Sequence, residues 1–152
     1  MARDTGRRGL HEDEVYRSVR ARIERLTPDS ERRWGEMSPA RMLAHCTEVQ
    51  KVMNGGPLEG TPWLIRLAAP LVKRSVLSRK PFPKGVPTHP QYAVTSGGDF
   101  EDERRRLLAA LEAFRARGRT ALEHPIFGRL TPDEAGWAAY KHLDHHLSQF
   151  GV

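Results

Sequence analysis

Apolar residues recur at helical spacing along most of this chain. Val15, Val19, Ile23 and Leu26 stand about one turn apart, predicting a first helix over about 11–26 that Pro28 ends. Ser38 is a good N-cap and Pro39 suits a first helical position, so a second helix starts there. Met42, Cys46, Val49 and Met53 repeat along it, with Leu43, His45 and Val52 flanking that stripe, and Asn54-Gly55-Gly56-Pro57 stops it. Thr61-Pro62 opens a third segment, 63–77, apolar on most sides and expected to kink at Pro70. Residues 78–98 hold four prolines and three glycines, which predicts an irregular crossover with a short extended piece at 91–95. Leu107, Leu108, Leu111 and Phe114 mark a helix from Asp99 or Phe100 to Arg117, with Gly118 as its stop. A loop containing His124-Pro125-Ile126-Phe127-Gly128 leads to the last helix, which Thr131-Pro132-Asp133-Glu134 starts as a capping box and which continues to about Gln149.

Four of these helices are roughly four turns long. They imply an all-α domain over 1–152, a four-helix bundle with a long crossover and an extra helical segment after helix 2. Residues 1–10 read as a flexible N-terminal tail. The chain has 152 residues, enough for one core without a disulfide or metal staple.

The last helix carries the chemistry. His142 and His146 stand four residues apart, so both imidazoles project from one face. On a helical wheel Ala135, Ala139, Leu143, His146 and Phe150 share the inward arc, with His142 and Gln149 on its flank. Trp137, Asp144 and Ser148 lie opposite with Lys141 near them, and His145 falls at the margin. His45 sits on the buried side of the second helix. Three buried imidazoles in one core need partners, and a divalent metal supplies one to all three while requiring them neutral. Three histidine ligands also leave a coordination position for a substrate. Histidine nitrogens suit zinc or nickel among other ions. For each histidine taken alone, a hydrogen bond to a carbonyl or carboxylate is the plainer reading.

Other candidates are weaker. Gln149, one turn beyond His146, could hold a ligand imidazole; Glu48, three residues after His45, could act as an acceptor or base, though a solvent-facing glutamate is the default. His124 precedes a proline and reads as a turn residue with a second, pocket-lining reading. Cys46 diverges from His45 by about 100° and has apolar neighbours, so it reads as a buried structural thiol.

Charge and cysteine usage narrow the classes. The formal net charge is +6, with arginine dominant in Arg104-Arg105-Arg106, yet no helix-turn-helix, zinc-finger or aromatic RNA-binding motif accompanies it, and nucleic acid is not the expected partner. One cysteine permits no internal disulfide and fits a reducing cytoplasm. No signal peptide is visible. Segment 63–77 is interrupted by Arg66, Pro70, Lys73 and Arg74, too short and too charged to span a bilayer.

Met37-Ser-Pro-Ala-Arg-Met-Leu-Ala-His45, His124-Pro-Ile-Phe-Gly128 and Lys141-His-Leu-Asp-His-His-Leu-Ser-Gln149-Phe-Gly151 together resemble the DinB/YfiT-like metalloenzyme superfamily, in a branch of unknown function. The resemblance implies an up-down-down-up bundle, often a homodimer, with a divalent metal held by the His45, His142 and His146 triad. It also implies possible chemistry, since characterised members transfer low-molecular-weight thiols to small electrophilic substrates. A metal-dependent hydrolase and a non-enzymatic metal- or ligand-binding bundle are the alternatives.

Overall fold

The computed structural model describes residues 6–152. Among them the chain is mostly helical, with five α-helices and one two-stranded hairpin. The helices are α1 (Asp13–Arg25), α2 (Pro39–Met53), α3 (Trp63–Leu77), α4 (Phe100–Ala116) and α5 (Pro132–Gln149). Local signals set their ends. Ser38 Oγ accepts from the Arg41 N–H at the start of α2, and Asp99 from the Asp102 N–H at the start of α4. At α5 the Thr131 side chain and the Glu134 side chain cap each other's backbone N–H groups.

Helices α1, α2, α4 and α5 share one hydrophobic core. Val19 and Ile23 come from α1, Met42 and Leu43 from α2, Leu107 and Leu111 from α4, and Leu143 and Leu147 from α5, all fully buried or nearly so. A helical bundle is therefore the frame, as the stripes predict.

Three departures from the sequence reading have physical causes. The loop before α5 is a hairpin, β1 (Leu122–His124) paired antiparallel with β2 (Gly128–Leu130), so the all-α expectation needs correcting. Strands this short carry no readable alternation, but Leu122 and Leu130 face each other and are both buried. The piece expected to be extended at 91–95 instead begins in a 3-10 turn, Pro90–Tyr92, which His89 caps by accepting the Gln91 N–H on Nδ1. Of the expected tail 1–10, residues 1–5 lie outside the described residues. Gly9 and Leu10 do not behave as a tail: both are buried, and the Leu10 N–H donates to the Gly136 carbonyl at 3.0 Å. A Cβ at Gly9 would stand 2.6 Å from the Gly136 carbonyl carbon, so only glycine allows this crossing over α5.

Helix α3 touches the core only at its C-terminal end, where partly buried Val76 and Leu77 pack against it. It runs from Trp63 through Pro70 to Leu77 and buries none of its residues. Its C-terminal end is tied to α5, because Lys141 Nζ donates to the Ser75 and Ser78 carbonyls at 2.7 and 3.0 Å. That corrects the wheel, which put Lys141 near the outer face; the ammonium is buried beneath α3 and over the Phe82 ring. No helix among the described residues is long and apolar enough to cross a membrane.

Candidate metal centre

The inward face of α5 meets α2 where His45 projects between His142 and His146. His45 Nε2 lies 3.1 Å from Nε2 of His142 and 3.1 Å from Nε2 of His146, and the three candidate ligand atoms all fall within 4.8 Å of one another. The structure thus brings the sequence-predicted trio together from residues 97 and 101 positions apart.

Hydrogen bonds behind the rings fix which nitrogens face inward. His45 Nδ1 lies 2.8 Å from the Tyr92 carbonyl, which can only accept, so Nδ1 carries the proton. His146 Nδ1 donates to Gln149 Oε1 at 2.8 Å, and the Gln149 amide is oriented by donating its Nε2–H to the Trp34 carbonyl at 3.4 Å. Both inner Nε2 atoms are therefore unprotonated. Two lone pairs 3.1 Å apart cannot hydrogen-bond each other and repel. A cation between them removes that conflict. Nitrogens bound at about 2.0–2.1 Å to one metal stand roughly 2.9–3.4 Å apart, so the observed spacing fits a shared ion.

Electrostatics point the same way. Burial pushes the His142 and His146 imidazoles down, His146 to about 3, and a charge on any one of the trio disfavours charge on its neighbours. His45 is lowered by burial and by Arg41, against a raising contribution from its Tyr92 hydrogen bond. All three stay neutral at physiological pH, the form a metal needs. These three close histidines could hold a metal ion.

Two chambers meet at His142. The inner one, about 380 Å³, is lined by apolar side chains of α3 and the hairpin, including Ile65, Ala68, Val76 and Ile126, together with His124. The outer one, about 740 Å³, exposes His45, His142, His145, His146 and Gln149 alongside Arg41 and Lys84. No aspartate or glutamate lines either chamber.

The weaker candidates separate. Gln149 is buried at the site and orients His146. His124 is buried at the end of β1, where its Nδ1 accepts the N–H groups of Ile126 and Phe127 at 3.1 and 3.2 Å, and it lines only the inner chamber. The structure does not bring Glu48 to the trio; its carboxylate accepts from Lys51 Nζ at 2.7 Å. Cys46 is buried beside Met42, and burial pushes its thiol up, so it stays protonated and inert. Sequence reasoning missed the Tyr92 carbonyl and Lys84, which lie in a crossover with no hydrophobic period. The one available signal was His89-Pro90, a start for a capped turn.

Residues 6–151 match a family described as "Protein of unknown function (DUF1569)". The chain belongs to that family. No curated protein and no solved structure matches it.

Proposed function

We propose that this family member is a metal-dependent enzyme in which His45, His142 and His146 hold zinc or nickel and a low-molecular-weight thiol is transferred to a small electrophile. The observation that carries the reading is the pair of opposed lone pairs on His45 and His146 Nε2. When bound, the metal would supply Lewis acidity that lowers the pKa of a thiol or water beside it. The chain's own residues supply the rest. Tyr92 and Gln149 hold two imidazoles in the ligating tautomer. Arg41 and Lys84, with no opposing carboxylate in the chamber, suit a carboxylate-bearing thiol. In the overall step the thiol sulfur bonds to the electrophilic carbon as that carbon's bond to a leaving group, or to an epoxide or carbonyl oxygen, breaks, and the thiol proton passes through solvent to the departing group or to that oxygen.

The absence of a carboxylate from both linings favours thiol over water as nucleophile. A hydrolase of this kind would have to draw its general base from His145, the one imidazole of the outer chamber outside the trio, because Glu48 is engaged elsewhere. The resemblance to DinB-like bundles, the single buried thiol and the exposed face of α3 extend the reading to a cytoplasmic homodimer with an up-down-down-up helix order.

Elemental analysis of untagged protein, purified without a metal column, tests the reading. About one divalent ion per chain is expected, with loss of most of it in His45→Ala, His142→Ala and His146→Ala. Thiol consumption should then appear with an electrophile such as 1-chloro-2,4-dinitrobenzene. Turnover of an ester without thiol would move the assignment to a hydrolase. Failure of wild-type protein to take up zinc or nickel would sink the metalloenzyme reading.

A further inference from the structure

The inner chamber has a composition unlike the outer one. Its lining contains no charged side chain, and its walls come from α3, the β1–β2 hairpin and the crossover, with Val49 and Met53 of α2 and Ala138 and His142 of α5. Its volume, about 380 Å³, lies in the range of small-molecule sites, roughly 300–1,000 Å³. A charged group placed there would lose hydration with no counter-charge to offset it, whereas an apolar body gains by leaving water.

His124 gives this chamber a directional feature. Because Nδ1 accepts two backbone N–H groups, the ring proton sits on Nε2, the one nitrogen left for a ligand. Phe127 stacks on the ring with centroids 4.4 Å apart, which restricts its orientation. The turn and the stacking therefore hold a fixed N–H donor in a mostly apolar lining, whose other polar members are Thr88, His89, Tyr92 and His142. At the junction of the two chambers stands His142, one of the trio.

We propose that the inner chamber binds the uncharged, apolar body of the substrate and that His124 donates Nε2–H to an oxygen acceptor on it. This deepens the proposed function, resting on it for the identity of the reacting end beside His142. Charged electrophiles are excluded by the lining, and uncharged ketones, epoxides or nitroaromatics are the class admitted. His124 is thus a specificity-determining residue; its ring neither takes nor gives a proton.

Fluorescent probes test the chamber without turnover. The ketone 6-propionyl-2-dimethylaminonaphthalene and the oxygen-free N-phenyl-1-naphthylamine are both uncharged, while 1-anilinonaphthalene-8-sulfonate is an anion of similar size. Both uncharged probes should bind at about one per chain, with the sulfonate about tenfold weaker or worse. Ala68→Trp fills the chamber from α3 and should weaken both uncharged probes about tenfold; Ile65→Trp does the same if the first variant fails to fold. His124→Asn keeps an acceptor for the two backbone N–H groups and takes away the Nε2–H, its shorter side chain placing no N–H at that position. It should weaken the ketone about fivefold to tenfold and leave the amine unchanged. His146→Ala, outside this chamber, should lose metal and still bind both probes, separating the two readings. Absence of probe binding, equal affinity for the sulfonate, insensitivity to the filling variants, or equal loss of ketone and amine in His124→Asn each overturns the proposal.

Discussion

At His124, burial and two backbone N–H groups on Nδ1 act in the same direction. Burial pushes the imidazole down from an ordinary 6.5 to about 4, and protonating Nδ1 would break the contacts that close the hairpin. In the unfolded chain the same ring titrates near its ordinary value. Between about pH 6.5 and pH 4 the unfolded state therefore binds a proton that the folded state refuses. The contribution of His124 to stability is complete above that window and falls as the pH drops through it, by on the order of 3 kcal/mol. Urea unfolding of metal-free protein at about pH 7 and pH 4.5 measures this. His124→Asn, which cannot titrate, should lose less stability on acidification than the wild type. An equal loss in both proteins would mean that the ring is already charged in the folded state.

Helix α3 shows what an element needs beyond its own sequence. Its apolar residues predicted a helix over the span observed, but not that it would bury none of them. The reason is its docking: only its C-terminal end, through partly buried Val76 and Leu77, packs on the core, and there its carbonyls are also tied down. Lys141 donates to two of them and Trp137 Nε1 donates to the Ser78 carbonyl at 3.3 Å. A buried ammonium at a helix C-terminus satisfies orphan carbonyls and complements the dipole. Lys141→Met should therefore cost about 1–3 kcal/mol and loosen the end of α3. Trypsin cleavage after the exposed Arg79 should become several-fold faster than in the wild type, with protection largely kept in Lys141→Arg. Unchanged cleavage would show that the tie is incidental. The same contrast explains what was legible in sequence. His142 and His146 were readable as one face because an 18-residue capped helix fixes their phase, and His45 because α2 has a clean cap. Tyr92, Lys84 and the hairpin were not, because their positions follow from tertiary hydrogen bonds and turn geometry rather than from a local period.

Across the whole molecule, charge and apolar surface are distributed unevenly. Arginines in and after the basic run are paired in place: Arg104 with Glu101, Arg106 with Glu103, Arg115 with Asp13 and Arg119 with Asp133. That pairing breaks up the continuous positive stripe a nucleic-acid site would use. Between Glu59 and Asp99, by contrast, the sequence has no acidic residue and six cationic ones, including Arg66, Lys73 and Arg74 on α3. The same helix exposes Trp63, Leu67 and Leu71, each 70% or more accessible, along one face at i, i+4, i+8 spacing. If two copies pair through that face, burial of the apolar stripe drives association while like charges oppose it. Added salt screens the repulsion and leaves the apolar gain, so the dimer should tighten several-fold between about 50 and 500 mM salt. Binding to nucleic acid would weaken over the same range. Sedimentation velocity across that range reads the effect directly, and Leu67→Ser with Leu71→Ser should give a monomer that keeps its metal. A wild-type monomer at about 100 μM would remove the dimer, and a dimer that survives both substitutions would place the subunit contact elsewhere; either leaves α3 acting only as the wall of the inner chamber.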